Sequence, residues 1–205
     1  MNYFFYFPLL FWFITTIRLF FNSLHVRFFY LISLLLLVLI VGTRWFVAAD
    51  FEGYYEIYEQ VPFLAEFSVD STKHIYGEIG YLFIISIFKT FGLHFSFFIL
   101  VLSVLSIYLK YFFLSRFANG FFAFSIYLLV SFISVELIEV RWSVSIAFIL
   151  LAYYHGFFND KKYLPAIFFF FSVLFHYYSI LFIIAFFLLR FLRGFASYYF
   201  IFVGA

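Results

Sequence analysis

The stretch "LHFSFFILVLSVLSIYLKYFF", residues 93–113, is apolar almost from end to end, with Lys110 its one firmly charged side chain. A run this long has two homes, the core of a large soluble domain or the hydrocarbon of a bilayer, which takes about 20 apolar residues to cross. Comparable runs recur at about 3–17, 28–43, 120–135 and 142–158, and a broken one covers 163–192. A chain of 205 residues cannot hide them all from water. It is 68% hydrophobic and 11% charged, with a mean hydropathy of +1.14, where soluble chains are roughly half apolar and about a quarter charged. The expected fold is all-α: a polytopic integral membrane helical bundle, because backbone in hydrocarbon must satisfy its own hydrogen bonds.

Several chemistries are excluded at once. With no cysteine there is no disulfide, thiolate metal site or cysteine nucleophile. The histidines have no metal-ligand spacing, "GEIG" is not a dinucleotide fingerprint, there is no P-loop, and the basic residues form no nucleic-acid patch. No metal, no cofactor and no nucleic acid are therefore expected. The apolar N-terminus lacks a basic lead and a small-residue cleavage site, so it reads as a first span. The final "SYYFIFVGA" is an apolar run too short to cross, so 1–205 is expected to be a single transmembrane domain that is C-terminally incomplete.

Orientation follows from lysine and arginine in short loops. The segment 77–92 is short and carries Glu78 and Lys89, which marks it as an interfacial or re-entrant helix on the outer side. With the N-terminus outside, Arg18, Arg27, Lys110, Arg116, Lys161, Lys162, Arg190 and Arg193 share the cytoplasmic side. Every acid except Asp160 falls on the outer side, where 44–76 forms a long outer loop. Arg44, Asp50, Glu78, Glu136, Glu139, Arg141 and His176 then converge on the outer half of the membrane.

Those residues suit an anionic, sugar-bearing lipid. In "DFEGYYEIYEQ" the residues Asp50, Tyr54 and Tyr58 recur every four positions and share one helix face, with Glu52, Glu56 and Glu59 on another. Carboxylates and aromatic faces offer a platform for sugar. In "SVELIEVRWSVSIA" the residue Arg141 opens a helix beside Glu139, and a guanidinium forks onto phosphate oxygens as a lysine cannot. Arg44 is a second such fork. His176 falls where the run "FSVLFHYYSI" breaks, and Glu78 opens the short segment; either is a candidate proton acceptor.

In order along the chain, "GTRWFVAADFEGYYEIY", "YGEIGYLFIISIFKTFG", "EVRWSVSIAFILLAYY", "FNDKKY" and "FHYYSI" resemble the EpsG-like and Wzy-type (O-antigen) bacterial polysaccharide polymerases. The resemblance covers about 41–184. Two positions depart from the family's pattern: Ala48-Ala49 where a glycine often precedes the aspartate, and Trp142 where glutamine often follows the arginine. The resemblance implies a multi-pass protein of the bacterial cytoplasmic (inner) membrane. Its activity would be that of a metal-independent glycosyltransferase joining undecaprenyl-diphosphate-linked oligosaccharide repeats on the outer face, for exopolysaccharide, capsule or O-antigen. Arg44, Asp50, Tyr54, Glu78, Arg141 and His176 fit the family's landmark positions; on the residues' own chemistry, Glu78, His176 and Arg141 are the candidates for catalysis, and Arg44, Asp50, Tyr54, Tyr58 and Glu139 for substrate binding. Membrane lipid, a flippase and a chain-length regulator are the further partners the resemblance implies. A transporter or flippase of a lipid-linked glycan, or a non-catalytic subunit of an assembly complex, fits the same charges.

Overall fold

The computed structural model describes residues 32, 35–42, 50–114, 116, 120–159, 161 and 163–203. The expected first span at 3–17, Arg44, Asp160 and Lys162 lie outside them, and of 28–43 a helical stretch at 35–42 is described. Among the described residues every regular element is a helix. The outer-loop segment folds as α1 (Phe51–Gln60), a 3₁₀ turn and the single-turn α2 (Val69–Thr72). Then follow α3 (Ile79–Thr90), α4 (Phe95–Leu114) and α5 (Gly120–Ser131), which runs into π-helical turns at Phe132–Ile138. Helix α6 (Val140–Phe157) and α7 (Leu164–Phe175) form a hairpin; a 3₁₀ turn at Tyr177–Ser179 leads into α8 (Ile180–Val203).

Helix α4 shows how these runs divide their faces. Phe95, Phe98, Ile99, Leu102, Ser106 and Lys110 recur at three- and four-residue spacing and are buried, while Phe97, Val104 and Tyr108 on the other side are exposed. It is the one described helix both long and apolar enough to cross a membrane by length and composition; α3 and α7 are apolar but shorter. At about 1.5 Å per residue, twelve residues of α3 reach about 18 Å, well under the roughly 30 Å of a hydrocarbon core. Exposed apolar side chains run along α8 too, Leu181, Ile184, Phe187, Leu188 and Phe191 among them.

Hydrogen bonds set the directions. Ser106 and Ser143 meet at 2.6 Å and the Phe113 and Tyr154 rings lie 6.1 Å apart further down, so α4 and α6 run parallel. Ser145 Oγ donates to Ser172 O across the antiparallel α6–α7 hairpin. Helix α8 descends along α6, where Arg190 and Arg193 donate to Gly156 O and Phe157 O at 3.3 and 3.1 Å. Cations thus meet the carbonyl end of α6, where the helix dipole favours them.

Lys110 corrects the sequence expectation. It is not a loop charge: its side chain is fully buried and paired with Glu136, itself 1% exposed. Lys110 also donates to Ser106 Oγ and Ser143 Oγ at 2.8 and 2.7 Å, and Glu136 accepts from Tyr127 and Ser143, both at 2.7 Å. Glu136 is therefore an interior partner, not a group at the outer boundary. The π-helical turns swing its carboxylate back toward α4, a neighbour that linear spacing does not reveal.

Close helix contact positions the site. An added Cβ on Gly80 of α3 would come within 2.4 Å of Leu174 Cβ and 2.8 Å of Leu174 O on α7. Only hydrogen fits there, and this contact brings the start of α3 to the end of α7. Gly80→Val is expected to destabilise the protein by about 1–3 kcal/mol through overpacking, and to push the start of α3 away from the end of α7. A thermal midpoint in detergent equal to wild type would contradict the contact.

Candidate active site

Glu78 occupies the N-cap position of α3, yet its side chain makes no capping bond, although caps are the usual use of a polar residue there. Its carboxylate turns instead to two distant partners. Arg141 Nη1 donates to Oε2 at 2.7 Å, and His176 Nδ1 lies 2.8 Å from Oε1. The backbone N–H of Tyr177 adds a longer bond to Oε1, 3.4 Å. Glu78 and Arg141 are 9% and 8% exposed. A buried carboxylate is costly unless paired and hydrogen-bonded, and here each oxygen is engaged.

Three helix ends meet at this point. Arg141 is the second residue of α6, and His176 is the extended residue (φ −159°) at which α7 stops. The guanidinium sits among the rings of Tyr76, Tyr54 and Tyr81, with centroids at 4.9, 5.5 and 5.5 Å. That cage uses cation–π attraction and fixes the plane of the fork. Arg141 Nε is buried and has no hydrogen-bond partner among the described residues. The Trp142 ring stands edge-on to His176 at 4.9 Å.

A cavity of about 490 Å³ opens beside these groups, lined by Asp50, Tyr54, Tyr76, Glu139, Arg141, Trp142, His176 and Tyr178 among others. Residues drawn from four stretches of sequence thus face one space. Asp50 and Glu139, both exposed, begin α1 and α6 without capping them through their side chains.

Tyr58 departs from the expected sugar platform. One turn beyond Tyr54, it is buried against Phe95 and Phe98, with ring centroids at 5.4 and 5.7 Å, and its hydroxyl donates to Leu93 O. Four residues on a helix advance about 6 Å and rotate a further 40° or so, enough to carry Tyr58 into the core between α3 and α4. Burial, with Glu59 next in sequence adding to it, raises its hydroxyl above the ordinary tyrosine value, so it stays a donor. The face expected to be open to headgroups is the buried one; Glu52, Glu56 and Glu59 take the exposed side. Nothing is placed for Arg44, which lies outside the described residues.

Sequence reasoning passed over Tyr76, Tyr178 and Trp142 as site residues. Tyr178 and Trp142 adjoin His176 and Arg141 in sequence, and Trp142 had stood out only as a departure from a familial glutamine. Adjacency to a charged residue that interrupts an apolar run was the available signal.

A protein whose described elements are all helical, and whose helix ends gather a buried carboxylate, a caged arginine and a histidine beside an aromatic, acid-lined cavity, has the build of a site for a polar, partly anionic substrate. The EpsG family model matches residues 27–205, and the chain belongs to the EpsG family. That membership associates it with exopolysaccharide biosynthesis, polymerase-like activity and the membrane. No curated protein and no solved structure matches.

Proposed function

We propose that the protein is a membrane polysaccharide polymerase that joins undecaprenyl-diphosphate-linked oligosaccharide repeats on the outer face of the bacterial cytoplasmic membrane. The helices form a single polytopic bundle. Its outer end carries Glu78, Arg141 and His176, and its inner end carries Lys161, Arg190 and Arg193, in keeping with basic residues on the cytoplasmic side. Lys161 N bonds to His155 O, and both arginines bond to the last carbonyls of α6, the helix that Arg141 begins.

The observation that carries the assignment is Glu78 held between Arg141 and His176. With His176 Nδ1–H donating to Glu78, Nε2 bears the lone pair. The carboxylate then orients the base, the arrangement by which nucleophile-activating sites generally work. His176 is accordingly the general base and Glu78 its positioning residue. In the reaction an acceptor hydroxyl oxygen bonds to the anomeric carbon of the lipid-linked sugar as the bond from that carbon to the diphosphate oxygen breaks. The electron pair leaves on the diphosphate, beside Arg141, and the hydroxyl proton passes to His176 Nε2. Arg141 stabilises the charge that develops; Asp50, Tyr54 and Glu139 hold sugar hydroxyls and ring faces.

The test is the length ladder of surface polysaccharide in a strain lacking the protein. Wild type is expected to restore it. His176→Gln keeps a partner for Glu78 but no base, and should slow polymerisation about 10²–10⁴-fold, leaving single repeats displayed. Loss of all surface glycan would indicate a transporter, and a normal ladder from His176→Gln a non-catalytic subunit.

A further inference from the structure

Two cavities adjoin Arg141. The second, about 400 Å³, is lined by Lys73, His74, Tyr76, Gly77, Glu78 and Arg141. Arg141 and Tyr76 belong to both; His176 lines the first, Asp50/Glu139 cavity and not this one. Their charges differ in sign. Two carboxylates, Asp50 and Glu139, face Arg141 in the first, whereas Lys73 joins Arg141 against Glu78 in the second.

We propose that the Lys73–His74 cavity is the subsite for the lipid-borne diphosphate, and the Asp50–Glu139 cavity the subsite for uncharged sugar. This rests on the polymerase assignment and goes beyond it by dividing the site and adding Lys73 and His74. A diphosphate is repelled by a pair of carboxylates and attracted by a lysine beside a guanidinium. Sugar hydroxyls are neutral donors, which carboxylates accept, and their apolar ring faces stack on Tyr54 and Trp142.

Gly77 lines the second cavity beside Arg141. Its φ of +148° suits glycine, and a Cβ there would lie 3.6 Å from Arg141 Nη1 and 3.1 Å from Leu82 Cδ2. A side chain there would be strained by that φ and would crowd Leu82 beside the guanidinium. Lys73 meets Asp70 only at 3.9 Å with both side chains exposed, an ion pair weak enough to yield to a diphosphate. The division also fits the chemistry. The leaving electron pair goes to the side with Lys73, and the acceptor proton to the side with His176.

The experiment measures binding of undecaprenyl diphosphate, carrying no sugar, to the full chain in lipid nanodiscs. Lys73→Ala/His74→Ala should bind it about tenfold more weakly or worse, Lys73→Arg close to wild type, and Asp50→Asn no more weakly than wild type. Lys73 and His74 are exposed, so an unchanged thermal midpoint for the double variant is expected and confirms that the fold is kept. Wild-type affinity in Lys73→Ala/His74→Ala, or equal weakening in Asp50→Asn, overturns the division while leaving the polymerase assignment standing. Failure of wild type itself to bind the lipid diphosphate overturns both.

Discussion

Arg141→Lys is expected to reach the membrane at wild-type levels and to lose activity by about 10²–10³-fold, the scale seen when one preorganised donor to a developing anion is removed. The substitution keeps one positive charge near Glu78, so the buried carboxylate is not abandoned. What it removes is the planar fork. The guanidinium donates to Glu78 Oε2 at 2.7 Å while lying among the rings of Tyr54, Tyr76 and Tyr81. A lysine ammonium is a compact, strongly hydrated point charge that cannot serve a carboxylate and a diphosphate with one rigid plane. The readout is polysaccharide length at matched protein levels. A normal ladder from Arg141→Lys would reduce the arginine to a helix anchor and remove it from the mechanism.

The second large effect is on stability. Lys110→Met should destabilise the bundle by about 3–5 kcal/mol, because it strands the Glu136 carboxylate in the interior. The lysine contacts Glu136, Ser106 and Ser143 and lies 5.2 Å from the Tyr127 ring centroid. Removing both charges is a different matter. Apolar replacement of a buried ion pair is often neutral or better, provided that Tyr127, which donates to Glu136, is not left without an acceptor, at a cost of about 1–3 kcal/mol. The triple variant Lys110→Met/Glu136→Leu/Tyr127→Phe should therefore recover most of the loss, since Ser106 and Ser143 still bond to each other. Denaturant titration in detergent reads both variants. A Lys110→Met protein as stable as wild type would show that the pair contributes nothing.

Much of the architecture was legible in composition and spacing, because helix is the one form a long apolar chain segment can take without leaving backbone groups unpaired. The break at His176 could be read too. A polar side chain amid apolar residues, followed by two tyrosines, marks where α7 stops and the 3₁₀ turn begins. Glu78, Arg141 and His176 stood out for the same reason: ionisable groups are costly in apolar surroundings, so their rarity made them visible.

Tertiary structure alone decided which of these groups meet. Glu78 and His176 are 98 positions apart in the chain, and no periodicity links them; a glycine contact between α3 and α7 does. Lys110 and Glu136, placed on opposite sides by loop-charge reasoning, turned out to be partners because π-helical turns redirect one carboxylate. Tyr54 and Tyr58, equivalent by four-residue spacing, are both buried, but Tyr54 borders the Arg141 cavity while Tyr58 packs on Phe95 and Phe98. Sequence determined what each segment must be, since solvent and backbone chemistry act locally. Which side chains share a cavity was left to packing, which joins residues by distance in space and takes no account of distance along the chain.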